Sequence, residues 1–147
     1  MEWVNNDGII VEFNDIPRLR MRYALPSDTK EEKKDIKKFP FINCKDLKVT
    51  IKYQDKIYKF DIPKGYKWDG ATIPKFFWRI AGSSTQPEFL VASCIHDIFC
   101  ENHHYIDNNR NLSSLVFREL LLEAGVGKIK SQIMYLAVDN FQRFCGW

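Results

Sequence analysis

Long apolar runs and paired-cysteine motifs are lacking from this sequence, and no leader segment is expected. No stretch approaches the roughly 18 consecutive apolar residues that read as a membrane span, so no membrane partner is expected. The opening Met1-Glu2-Trp3-Val4-Asn5-Asn6-Asp7 has neither the basic nor the apolar region of a signal peptide. The four cysteines, Cys44, Cys94, Cys100 and Cys145, contain no C-x-x-C and no spacing of the zinc-ribbon kind. Reduced, mostly buried thiols are the expectation. G-x-S-x-G, P-loop, G-x-G-x-x-G and H-E-x-x-H are absent too, so those enzyme classes lack their usual signatures.

What is present excludes disorder. Eleven Phe, six Tyr and four Trp in 147 residues are far more aromatic mass than a disordered chain carries. The length suits a single domain, residues 1–147, able to build a core without a metal or disulfide. The composition reads as soluble, and the cytoplasm is the expected location; the family resemblance given below implies that of an infected bacterial host. The formal charge of +3 hides an asymmetry: residues 17–64 carry 14 basic and 7 acidic side chains. Much of that excess lies in the segment Asp28–Lys38, where the signs alternate, and the expected reading is a solvated loop or short exposed helix. No nucleic-acid motif accompanies the charge, so nucleic acid is not expected as the main partner.

The pattern along the chain reads as α+β: a twisted antiparallel sheet from the N-terminal half packed on about three C-terminal helices. Residues 1–62 read as mainly β with a charged loop at 26–45. Leu47–Tyr53 alternates for seven residues and Ile57–Ile62 follows a tight connection, so a hairpin with one wet face is expected. Residues 63–86 form an aromatic, Pro- and Gly-rich junction. Residues 87–147 read as helical, with segments at 88–101, 115–123 and 127–144. Ser113 is the expected N-cap of the second, Gly125 its stop. In the third, Ile129, Ile133, Leu136, Ala137, Phe141 and Phe144 are expected to face inward.

Two motifs carry chemistry: Asp69-Gly70-Ala71-Thr72-Ile73-Pro74 in the junction, and His96-Asp97 on the following helix. A carboxylate beside an imidazole fixes its tautomer and raises its basicity, which suits general-base work or metal ligation. Asp69, Thr72, His96 and Asp97 are therefore the candidate catalytic set. His96 and Asp97 are also candidate ligands of a divalent metal, with His103, His104 and Asp107 as further ligands by type. Lys67, Lys75 and Arg79, with Trp68, Trp78 and Arg110, are candidates for holding a small anionic ligand. Cys100 sits four residues after His96, the spacing of a nucleophile and base on one helix face.

The order Pro63-x-Gly65-Tyr66-x-x-Asp69-Gly70-Ala71-Thr72-Ile73-Pro74, Phe77-Trp78, His96-Asp97, Arg110, Phe117, Gly125-Val126 resembles a family of small phage and prophage proteins, domain of unknown function 1353. The resemblance covers roughly residues 47–147. It implies a phage origin and a fold more than a reaction. Two departures stand out: Cys100 where the family pattern has an aromatic, and Ser114 where it often has an Asp. Together these observations lead to the expectation of a phage accessory protein, in counter-defence for instance, with a small-ligand pocket around the Asp/Thr/His-Asp cluster. Hydrolysis of a nucleotide-like or phosphorylated ligand is the leading activity. The alternatives are a non-enzymatic sponge for a host signalling nucleotide, and a virion or assembly protein whose His-Asp site is structural.

Overall fold

The computed structural model describes residues 2–70 and 87–144. It has the expected α+β arrangement, with the strands in two antiparallel sheets. Strands β1 (Glu2–Asn6), β2 (Ile9–Phe13), β5 (Leu47–Tyr53) and β6 (Lys56–Ile62) form one sheet in the order β1-β2-β5-β6. Strands β3 (Leu19–Met21), β4 (Phe41–Asn43) and β7 (Lys67–Trp68) form the other in the order β3-β4-β7. The larger sheet is built from two hairpins. In the first, Asp7 and Gly8 both take positive φ (52° and 77°), the conformation a two-residue turn needs to match strand twist. In the second, the register Val49↔Phe60 and Ile51↔Tyr58 follows the alternation read from the sequence.

That alternation sorts the faces. Ile9, Val11, Phe13, Leu47, Val49, Ile51 and Ile62 are buried, while Lys52 and Glu12 pair at 3.2 Å on the outer side. The segment 26–45, read as a charged loop, holds a helix, α1 (Lys30–Lys38), as well as β4. Thr29 caps α1 by accepting from Glu32 N, and no residue of the helix is buried. Its fixing to the body is ionic: Asp35 meets Arg22 at 2.9 Å and Lys67 at 2.7 Å.

The C-terminal part consists of α2 (Pro87–Glu101), α3 (Arg110–Glu123) and α4 (Lys128–Phe144). From Leu90 to Phe99 every residue of α2 is buried, as befits a helix enclosed on all sides. Helix α3 starts three residues earlier than Ser113: Asn109 is the N-cap, its Oδ1 accepting from Leu112 N at 2.9 Å. Ser113 is inside the helix and donates to Arg110 O. The end of α3 is as expected. Gly125 takes φ 89°, and Gly125 N and Val126 N donate to Leu122 O and Leu121 O, the paired closure of a Schellman motif.

Helix α4 corrects the sequence reading. Ile129, Ile133 and Leu136, expected inward, are exposed at 80%, 52% and 50%. Ser131, Met134, Val138 and Gln142 are buried instead, on the opposite side of the helix, about 180° away. Polar anchors set this phase. Ser131 Oγ donates to Val126 O at 3.2 Å, and Asp139 receives Arg110 and Ser114 from α3.

Candidate functional site

The site is assembled where β7 delivers the junction onto α2. Asn43 prepares that position. Fully buried, it donates through Nδ2 to Ile62 O and Pro63 O, both at 3.0 Å, and its backbone N donates to Tyr66 O. The chain leaving β6 is thereby bent back to form β7. Trp68 follows, 1% exposed, stacked between Phe41 (5.5 Å) and Tyr66 (6.0 Å). Its Nε1 donates to Ser93 Oγ of α2 at 3.1 Å, so the indole's one polar atom is satisfied inside the core.

Two residues later the junction meets the His-Asp motif. Gly70 takes φ 70°, a conformation costly for other residues, and its N–H donates to Asp97 Oδ2 at 3.1 Å. Asp97 is 3% exposed and His96 1%, whereas Asp69 is exposed. The His96 ring packs on Phe117 of α3 (5.2 Å), and Nδ1 lies 3.8 Å from Cys100 Sγ. Burial pushes the imidazole pKa down to about 3, so the ring is neutral at ordinary pH. Burial, then the carboxylates of Asp97 and Glu101, push the Cys94 thiol up.

The other sequence candidates divide in two. Lys67 is held by Asp35, and Arg110 Nε donates to Asp139 at 3.2 Å, so both cations serve contacts between elements. Thr72, Lys75, Trp78 and Arg79 lie outside the described residues. Asp107 accepts from Lys56 and Tyr58, and His103 lies 2.7 Å from Asn108 Oδ1. Among the described residues no three His, Cys, Asp or Glu side chains gather as a metal site. A cleft of about 310 Å³ between β6 and the end of α2 is lined by Phe60, Tyr66, Glu101 and Tyr105 among others, but by neither His96 nor Asp97.

Sequence reasoning missed Asn43, Ser93 and Asp139. For Asn43 and Ser93 a polar residue amid apolar neighbours was the signal available. Asp139 meets Ser114 as well as Arg110: Ser114 Oγ donates to Asp139 Oδ1 at 2.9 Å, so α4 supplies a carboxylate beside Ser114 of α3. Replacing Ser114 by Asp should set two carboxylates against each other and destabilise the fold by roughly 1–3 kcal/mol. Urea denaturation checks this, and an unchanged midpoint would count against the shared-carboxylate account.

The fold and site define a sheet-and-helix module in which a Gly-containing turn is tied to a buried His-Asp helix. Residues 46–138 match the family model described as "Protein of unknown function (DUF1353)", and the chain belongs to that family. It is 37% identical over 94 residues to the uncharacterized protein y4jT of Sinorhizobium fredii (strain NBRC 101917 / NGR234), covering 57% of this chain and 26% of that one. It is 31% identical over 80 residues to the uncharacterized protein y4iH of the same strain, covering 53% and 31%. The match thus spans about a quarter to a third of these relatives' length. No solved structure matches. The matched region begins just before β5, so β1 to β4 and α1 precede it. Among the described residues no helix is long and apolar enough to cross a membrane.

Proposed function

We propose that this chain is a phage-borne accessory module that works by assembly and binding rather than by turnover, with Asp97 of the His96-Asp97 pair as the latch that holds Gly70 of the family's Asp-Gly-Ala-Thr-Ile-Pro motif. The observation that carries this reading is the hydrogen bond from Gly70 N to the buried Asp97 carboxylate. Trp68, Lys67 and Arg110 add support, since each described partner builds the fold. A pKa near 3 also fits general-base work poorly, because such work favours a pKa near the operating pH. The short match to much longer relatives accords with a module used in several protein contexts.

A hydrolase of a nucleotide-like ligand is the second reading, favoured by one observation. The neutral His96 imidazole stands 3.8 Å from the half-buried Cys100 thiol, within reach of accepting its proton after a small approach. A sponge for a signalling nucleotide would use the same exposed Asp69 turn without any bond breaking.

One experiment separates the three. Wild type, His96→Gln and Asp97→Asn are melted, then incubated with a panel of nucleotides that is afterwards resolved by chromatography. The latch predicts intact nucleotides throughout and lower melting temperatures for both variants, by about 3–10 °C for a loss of roughly 1–3 kcal/mol. Turnover by wild type that falls about 10²–10⁴-fold in His96→Gln at unchanged stability would establish the hydrolase instead. Tight retention of an intact nucleotide, released on denaturation, would establish the sponge.

A further inference from the structure

The alternating charges of residues 30–38 resolve into two faces once the segment is a helix. Lys30, Lys33, Lys34, Lys37 and Lys38 fall within an arc of about 140°; Glu32 and Asp35 fall on the other side, and Glu31 borders the arc beside Lys38. Asp35 is the docking contact, bound to Arg22 and Lys67, and this turns the lysine arc away from the body. All five lysines are exposed, and among the described residues no ion pair uses any of them. Five ammonium groups therefore stand along about 12 Å of one helix that buries nothing, that of Lys38 over the Phe39 ring at 5.3 Å.

A groove of about 270 Å³ borders this face, lined by Arg20, Met21, Arg22, Tyr23, Leu25 and Ile36. Ile36 is about 60° round the helix from Lys33, so groove and lysine arc adjoin. Tyr23 is 68% exposed there and Leu25 57%, beside the exposed Arg20. An aromatic platform next to a row of cations is the combination that holds a single nucleic-acid strand: phosphates on the cations, a base on the ring. A duplex keeps its bases stacked inside and would leave Tyr23 unused.

We infer that the lysine face of α1 and the Tyr23 groove bind single-stranded nucleic acid without sequence preference. This site is separate from the His-Asp latch and lies outside the region matched by the family.

The test is fluorescence anisotropy of a labelled 20-nucleotide oligo(dT), its RNA counterpart and a duplex of the same length, at 50 and 200 mM salt. Binding should be measurable at 50 mM, weaker at 200 mM, and tighter for either single strand than for the duplex. Lys33→Glu/Lys34→Glu/Lys37→Glu should weaken it at least tenfold and lower the salt slope by about 2, since each lost phosphate contact on a single strand removes about 0.7. Lys→Gln at the same three positions, which keeps good helix formers, should act in the same direction. Tyr23→Ala should weaken binding about tenfold, and Lys128→Glu/Lys130→Glu on α4 should not. Absence of binding at 50 mM salt would overturn the inference, as would indifference to the α1 or Tyr23 changes. So would a duplex bound as tightly as a strand, or equal competition by polyglutamate or phosphatidylserine vesicles.

Discussion

Folded protein should lose stability at about 1.4 kcal/mol per pH unit as pH falls from 6.5 towards 3, on account of His96 alone. Above pH 6.5 the imidazole is neutral in both folded and unfolded chains and contributes no pH dependence. Below it the unfolded chain takes up a proton, while the buried ring, with its pKa lowered to about 3, does not. The unfolded state is therefore favoured progressively, and the loss levels off on the order of 5 kcal/mol below pH 3. Asp15, Asp35 and Asp107 also have lowered pKa values, chiefly from hydrogen bonds to Lys45, Lys67 and Lys56. Their stabilisation is present above the ordinary carboxylate range and goes only as pH falls below it, so the interval from 6.5 to 4.5 isolates the histidine. Urea denaturation of wild type and His96→Gln at several pH values in that interval provides the measurement. The variant should lack this slope, and parallel curves would mean that His96 is not a buried neutral base.

Trp68→Ala should cost about 3–5 kcal/mol, as emptying a buried aromatic site does. The indole is the centre of the Phe41–Trp68–Tyr66 stack and the bond to Ser93, so its removal loosens β7 from both β4 and α2. Trp68→Phe keeps most of the packing and strands only the Ser93 hydroxyl, for roughly 1–3 kcal/mol. Thermal melting and denaturant midpoints of the two variants should fall in that order. Had Trp68 been a stacking surface for a ligand, as the sequence also allowed, Trp68→Ala would leave stability nearly untouched. That outcome would remove the account of how the junction is held.

Much of the fold was legible because the signals are local. A period of two marks β5 and β6, and Gly125 after an apolar run marks the end of α3. The structure places these elements where the sequence does. The family motif was equally visible, as was the junction's departure from any regular period. Partnerships were less visible. The sequence did not show that Asp97 bonds Gly70, nor that the imidazole lies on Phe117 of α3. A helix sequence states which residues share a face, but not which neighbour that face will meet.

Helices α4 and α1 show the same division. By itself the sequence determined that α4 would form and that the chain would be an α+β protein of this family; the segment of α1 reads as a charged loop or a short exposed helix. Only the tertiary structure decided which stripe turned inward. On α4, Ser131 and Asp139 find partners on and beside α3, and those polar contacts outweigh the larger side chains of Ile129, Ile133 and Leu136. On α1, Asp35 finds Arg22 and Lys67, and five lysines are left facing water. The physical reason is that apolar burial is non-directional and sets composition, whereas hydrogen bonds and ion pairs require a particular partner at about 3 Å. That partner lies far away in sequence and exists only once the chain has folded.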